Sequence, residues 1–488
     1  MNQGLHRYSK EVKTGRSLIV IGGGQGGLSA AIHARLLGWD VLVLEQNERL
    51  GGKAGGIQIE GYSLDPGPSI IIMTDLYESV FTAAGRSMSD YLRFSRLDPF
   101  SRIYLEGWQE PLDLPSGREA CLKELKRAVP EDYDGLLRLL GKLDQAAEPI
   151  QKTIFNKPLH HPWQLANPKL MAAASKFDLR LNYKELVESF FTSPLLRAFF
   201  YGFPSYSGQT YHSKAAGALM IPYYMIEGGV WWPEGGVAAI PSAFAKLGQD
   251  LGVQYRTSAK VAGLRTDGSR AAAVVLESGE EIPCDAVISN RDRLSFENDL
   301  GRNEPKKPSS SYCTFHWGIR RILPGLSHHT LLIPKDFEKG FEELYSQNLP
   351  ASEPVVYLNS TPAPDGCTCL FAVLTVPARE DHFDWNEAAP MLKRAVKAQL
   401  AQRGMDFDDS ELDFERIQTP LTFEQRDGSW RGSLYGAAEA ERLWGMLPLK
   451  VKDSQLKNLF YVGGTVQPGA GLPMVTLSGR FAADSLPH

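Results

Sequence analysis

The chain has 488 residues, with 52 basic and 57 acidic side chains and a formal net charge of −5. It therefore has no overall positive field, which excludes nucleic-acid binding driven by phosphate neutralisation. Hydrophobic residues make up 43% of it and aromatics 10%, so disordered and collagen-like classes are excluded and roughly two to three domains are expected.

The start, MNQGLHRYSKEVKTGRS, has no signal-peptide pattern, and the five cysteines (Cys121, Cys284, Cys313, Cys367 and Cys369) are sparse and odd in number. Reduced thiols, a cytosolic setting and no metal are expected, with Cys367 and Cys369 two residues on one face of a strand. No apolar run reaches the ~18 residues that cross a bilayer.

Residues 17–45, SLIVIGGGQGGLSAAIHARLLGWDVLVLE, divide into an apolar strand, a glycine turn, a helix and a second apolar strand. This is a βαβ unit. Gly22, Gly24 and Gly27 have the G-x-G-x-x-G spacing: the first permits a tight turn, the second lets backbone approach a pyrophosphate, and the third lets helix pack on strand. The phosphates then meet free N–H groups at the positive helix end. Glu45, closing the second strand, is placed to accept from a ribose 2′-OH, which favours FAD or NAD over NADP. Residues 47–56, NERLGGKAGG, add a second glycine-rich turn with Arg49, Gly51, Gly52 and Lys53. A flavin dinucleotide bound along its length needs such a turn; NAD does not.

Residues 130–200 read as helices with a polar break at HHPWQLANP. Within 150–185, Lys152, Lys157, Lys169, Lys176, Arg180 and Lys184 face only Asp178 and Glu185 and are mixed with Trp163, Leu165, Leu170, Met171, Phe177 and Leu179. Such a stretch is suited to an anionic membrane or is a solvated helix face. Twelve aromatics crowd residues 190–232. Ordinary core packing is the plain reading; a tunnel wall for a long apolar molecule, with Phe199, Tyr201, Phe203, Tyr223, Trp231 and Trp232 on it, is the functional one. Residues 253–289 return to short strands with turns at TDGS and ESGE, a meander pattern. GRNEPKKPSSS (301–311) reads as a linker or exposed loop, and CTFHWGIR, PVVYLNS and CLFAVLTVP as a second sheet.

Several motifs resemble the FAD-dependent amine oxidase and phytoene desaturase superfamily. RLGGK (49–53) is similar to its R-x-G-G-[RK], GYSLDPGPS (61–69) to its F-D-x-G-P segment, and GGVWWPEGG (228–236) to its G-V-W-[FY]-P-[RK]-G-G. NLFYVGGTVQPGAGLPM (458–474) resembles the terminal signature of bacterial-type carotenoid desaturases, N-L-Y-x-x-G-x-x-x-H-P-G-x-G-[IVL]-P. HHT (328–330) and TPLTFEQRDGSWRGSLYG (419–436) fall where desaturases carry similar runs. Gln467 stands in place of the usual His, Glu234 in place of a basic residue, and Met474 where phytoene desaturases commonly have Gly. The last form looks more like 1-hydroxycarotenoid 3,4-desaturases.

The resemblance implies an α/β fold: a Rossmann-like FAD-binding domain from 15–110, 228–295 and 440–488, a helical substrate and membrane-facing subdomain at 111–227, and a substrate-binding β-sheet domain at 296–439. It implies FAD as cofactor, held by Gly22, Gly24, Gly26, Gly27, Glu45, Gln46, Arg49, Gly52, Lys53, Ala54, Pro68, Ser69, Val261, Gly463, Gly464, Gly471 and Met474. The implied activity is desaturation of a carotenoid by hydride transfer to flavin, with oxygen or a quinone as electron acceptor, in a cytoplasmic protein peripheral to the inner membrane. Oligomeric state stays open. Glu234 and His328 are the candidates for proton acceptor, and Asp65 is read as fixing its turn. Alternatives are a phytoene or diapophytoene desaturase, a carotenoid cis–trans isomerase, a terminal carotenoid oxidase, an amine oxidase and, outside enzymes, a prenyl-binding escort protein of the same fold.

Overall fold

The computed structural model describes residues 15–302, 306–379, 384–438 and 450–487. Its nucleotide part is a parallel five-stranded sheet in the order Leu459–Tyr461, Ala286–Ser289, Ser17–Ile21, Asp40–Leu44, Gln254–Arg256. Three distant segments meet there, because near-continuous apolar runs such as Ala286–Ser289, buried at every residue, are stable only with both sheet faces covered. The helix Gln25–Leu36 supplies cover and is itself buried from Gln25 to Ala34. The C-terminal helix Leu472–Asp484 lies against it, so close that a Cβ on Gly479 would stand 2.6 Å from Ala30 N.

The meander expected over 253–289 occupies only the middle of that range. Val261–Asp267, Arg270–Leu276 and Glu281–Pro283 form the antiparallel three-stranded sheet, turning at Gly268 and Gly279, both at positive φ. The flanking strands join the parallel sheet instead.

The second large sheet has seven strands, ordered Leu412–Gln418, Ser311–Ile319, Thr368–Val376, Val356–Thr361, His329–Ile333, Ser101–Leu105, Leu112–Leu114. The three strand-like segments anticipated after residue 311 all lie in it. Ser101–Leu105, placed above with the nucleotide domain through residue 110, belongs here instead, running parallel to His329–Ile333. Its alternate residues are buried, the pattern of a strand covered on one face. The 301–311 stretch is not simply an exposed linker either. Ser309 and Ser311 are buried, Ser309 N–H donates to Gly436 O, and Ser311 opens a central strand; residues 303–305 lie outside the described ones.

The helical part contains Arg118–Ala128, Tyr133–Thr153, Pro168–Ala174, Tyr183–Glu188, Pro194–Tyr201 and Met220–Gly228. Asp132 fastens it internally, accepting from Thr192 N, Thr192 Oγ1 and Ser193 N at 2.7–2.9 Å. No described helix is long and apolar enough to cross a membrane.

Candidate active site

The three parts enclose one cavity of about 1160 Å³. That exceeds the ~300–1000 Å³ usual for a single small ligand, so it has room for two groups end to end. One end lies beyond Ile21 and Asn290, where neighbouring parallel strands finish, the place where open α/β sheets bind ligands.

At that end Gly22 turns at φ +96°, a region costly for any residue with a Cβ. A Cβ on Gly24 would stand 2.7 Å from Asn290 Nδ2, and one on Gly52 would stand 3.1 Å from Gly24 Cα. The two glycine turns are thus packed backbone to backbone and leave N–H groups facing the cavity. The helices starting after Gly24 and Gly471 have no side-chain N-cap, so both present free positive ends to the same space. Glu45 is buried; its Oε2 accepts from Gly23 N–H at 2.8 Å, and its Oε1 accepts from Asn47 N and Nδ2 at 2.9 and 2.8 Å. Free helix ends for phosphates, a fixed carboxylate for a ribose and a backbone cradle that side chains would fill together fit an FAD.

Gly22, Gly24, Gly26, Glu45, Gln46, Gly52, Lys53, Ala54, Pro68, Ser69, Val261, Gly463, Gly464, Gly471 and Met474 all line this cavity. Gly27 does not, because it faces the strand: a Cβ there would be 2.1 Å from Gly22 O. Arg49 is exposed and off the wall. Asn290, Arg291 and Asp292 are cavity residues that sequence reasoning missed; they follow the strand Ala286–Ser289, and only its pairing beside Ser17–Ile21 brings them to the turn. Asp65 fixes a turn, accepting from Val237 N and Ala238 N at 2.9 and 3.2 Å, while burial pushes its carboxyl up.

The far end is walled chiefly by apolar side chains from all three parts, among them Ile154, Phe155, Ile221, Leu331, Phe341 and Phe371. None of Phe199, Tyr201, Phe203, Tyr223, Trp231 and Trp232 is on it. Phe199, Tyr201, Phe203 and Tyr223 pack in or against the core of the helical part; Trp231 donates to Gly228 O and Trp232 packs edge-on against His328 at 4.2 Å. Tyr206 and Tyr224 are the aromatics of that run that do line the cavity.

Neither proposed base reaches the cavity. Glu234 is exposed, and His328, held down to about 4 by burial, is not among the lining residues. Its neighbour His329, also lowered by burial, accepts or donates at Nδ1 with the hydroxyl of Tyr357 at 2.6 Å, and Tyr357 is on the wall.

Residues 26–291 match the model of the flavin containing amine oxidoreductases. A 4,4′-diapolycopene oxygenase of Methylomonas sp is 30% identical over 96% of this chain and 97% of its own. A zeta-carotene-forming phytoene desaturase of Myxococcus xanthus is 29% identical over 97% of this chain and 94% of its own. Among solved structures, an oxidoreductase from Methanosarcina mazei superposes with a TM-score of 0.64 at 14% identity, covering 95% of this chain and 98% of that one, a likeness of fold.

Proposed function

The chain belongs to the flavin-containing amine oxidoreductase family and is an FAD-dependent oxidoreductase, and on that premise we propose that it removes hydrogen from a carotenoid polyene to create C=C bonds. The observation carrying this reading is the continuous cavity in which the dinucleotide cradle opens into a large, mainly apolar chamber. Bound FAD supplies a two-electron hydride acceptor. The positive charge left beside a conjugated system is delocalised by the polyene itself, so the protein's work is to orient the chain, exclude water and take one proton. A finer reading, 3,4-desaturation of a 1-hydroxycarotenoid, rests on the form of residues 463–474, of which Met474 lines the cavity. Oxygen or a quinone is the proposed final acceptor of the electrons.

We also propose that the 160–180 region rests on an anionic membrane from which the polyene is drawn. Trp163, Met171 and Leu179 are 69%, 60% and 51% exposed, and Lys157, Lys169, Lys176 and Arg180 are exposed around them. Apolar side chains flanked by cations suit a headgroup boundary.

A second reading, oxygenation of a terminal carotenoid carbon, is favoured by the 30% identity to a diapolycopene oxygenase. Expression in cells that separately accumulate phytoene, neurosporene, γ-carotene and their 1-hydroxy derivatives, followed by mass measurement of the pigments, separates the two. Desaturation loses two hydrogens per step and oxygenation gains oxygen; an unchanged mass with altered chromatography would mean isomerisation and overturn both.

A further inference from the structure

The strand Val356–Thr361 carries Tyr357 on the cavity wall and pairs antiparallel with His329–Ile333, His329 lying opposite Asn359. The Tyr357 hydroxyl is held between Ser69 Oγ at 2.7 Å and His329 Nδ1 at 2.6 Å. Ser69 also lines the cavity, on the segment pressed against the second glycine turn, where a Cβ on Gly67 would stand 1.9 Å from Lys53 O. His329 is 2% exposed and burial keeps it neutral. Burial likewise keeps the Tyr357 phenol protonated. A second donor, Asn359 Nδ2, lies 3.4 Å from the same Nδ1 while donating to His328 O at 3.0 Å. An amide nitrogen can only donate, so the approach of Asn359 Nδ2 assigns the acceptor role to Nδ1 and the ring proton to Nε2, with the Tyr357 hydroxyl donating to Nδ1. Nε2 itself is buried and makes no hydrogen bond.

The wall carboxylates are otherwise committed. Glu45 is bound by Gly23 and Asn47, Glu277 pairs with Lys260, Asp299 with Arg291, Glu424 with Arg379 and Asp427 with Arg426. Asp292 caps its helix by accepting from Ser295 N, but its Oδ2 is buried and makes no hydrogen bond, which makes it the rival.

We propose that Tyr357 is the catalytic residue that takes the substrate proton, and that His329 is the positioning residue that receives the phenolic proton in turn. This rests on the desaturase reading. FAD held at the glycine turns would supply the two-electron acceptor for the hydride of one C–H bond, which leaves with both bonding electrons. The adjacent C–H bond then breaks: its electron pair becomes the new C=C bond, its proton joins the Tyr357 oxygen, and the phenolic proton moves to His329 Nδ1. After product leaves, the proton returns through Tyr357 and Ser69 to the cavity. A carbon beside an allylic cation sheds its proton so readily that a neutral phenol–imidazole pair is basic enough, provided it is within hydrogen-bond reach.

The test compares wild type with Tyr357→Phe, His329→Gln and Asp292→Asn. Tyr357→Phe and His329→Gln are expected to lower kcat at least about 100-fold, the usual scale of acid–base catalysis, with KM, flavin content and Tm held. A solvent isotope effect on kcat of about 2 in wild type should vanish in Tyr357→Phe. Nitrogen NMR of histidine-labelled protein should show one buried Nε2–H ring whose Nδ1 signal moves in Tyr357→Phe, a readout independent of turnover. Wild-type-like kcat in Tyr357→Phe, or Nδ1–H on His329, overturns the relay alone, as does loss of turnover confined to Asp292→Asn. A wild-type product that has not lost two hydrogens overturns the desaturase reading and the relay with it.

Discussion

Gly27 sits so close to Gly22 that a Cβ on the former would stand 2.1 Å from the carbonyl oxygen of the latter, while Gly22 itself turns at φ +96°. Helix and strand meet there with nothing between them but backbone. Gly27→Ala has no flexible side chain to displace, so the helix must lift off the strand. Overpacking of this kind costs roughly 1–3 kcal/mol, and lifting the helix also moves its free N–H groups away from the dinucleotide. The expected outcome is a lower Tm together with loss of the flavin absorbance bands. A yellow protein of unchanged Tm would contradict this account of the turn.

The Glu45 carboxylate is fixed at the cavity wall by Gly23 and Asn47, the position from which it would accept from a ribose hydroxyl. Glu45→Gln keeps the shape and removes the charge; hydrogen bonds to charged groups are worth about 1.5–3 kcal/mol. FAD affinity, measured by calorimetry on the apoprotein, should fall about tenfold or more.

Gln467, where the related motif has His, accepts from Leu159 N at 2.7 Å and donates to Leu159 O at 2.9 Å. Arg480 Nη2 donates to Phe155 O at 2.8 Å nearby, so the C-terminal cofactor segment pins a stretch of the helical part. Gln467→Ala leaves two buried backbone groups of Leu159 without that partner, at about 1–3 kcal/mol each. Tm should drop, and chymotrypsin should cut after the half-buried Phe155 faster than in wild type. An unchanged cleavage rate would mean that the stretch is held elsewhere.

Charge reversal of Lys169, Lys176 and Arg180 tests the membrane proposal. Each cation near an anionic surface is worth about 1 kcal/mol, although Arg180 is already paired with Asp178 at 2.7 Å. Sedimentation with anionic liposomes at low salt should weaken at least about tenfold in the triple Glu variant, and wild-type binding should decline as salt screens it. Equal sedimentation of the two proteins would sink the proposal.

The nucleotide end was legible because its chemistry is local: glycine spacing sets a backbone path over a few residues, and fifteen of the anticipated cofactor residues lie on one wall. The far, apolar end was not, because its wall is assembled from residues far apart in sequence, such as Ile221, Leu331 and Phe371. Aromatic density reported burial without saying burial against what. Phe199 and Phe203 stack edge to face with each other at 5.1 Å and need no ligand. The histidine pair shows the same limit: HHT runs into the strand His329–Ile333, where neighbouring side chains take opposite faces, and it is His329 that meets Tyr357 while His328 meets Trp232. Strand Ser101–Leu105 was misassigned because a parallel partner more than two hundred residues away leaves no local trace.

His33 gives the fold a pH dependence. Burial first and Arg480 second hold its pKa at about 3, against an ordinary 6.5, so it is neutral in the fold where the unfolded chain is protonated. Between those two values the unfolded state binds the extra proton, and stability is lost as pH falls, at up to about 1.4 kcal/mol per unit for one group. His316, held at about 3, and His328, at about 4, act with the same sign. Denaturation midpoints from pH 7 to 4 should fall less steeply in His33→Gln than in wild type; parallel curves would refute the assignment.

The distinction between wall and core can be decided by two substitutions with opposite signatures. Phe203 is 4% exposed among Phe199, Phe200 and Tyr206, and removing its ring leaves a void worth about 3–5 kcal/mol. Phe203→Ala should lower Tm sharply yet give the same pigments at permissive temperature. Ile221 is only partly buried and faces the cavity. Ile221→Trp adds bulk to empty space, so Tm and flavin content should hold while turnover of a full-length polyene falls more than about tenfold and a shorter polyene is spared. The reverse pattern, product change from Phe203→Ala and plain destabilisation from Ile221→Trp, would move the substrate into the aromatic run and away from the chamber between the sheets.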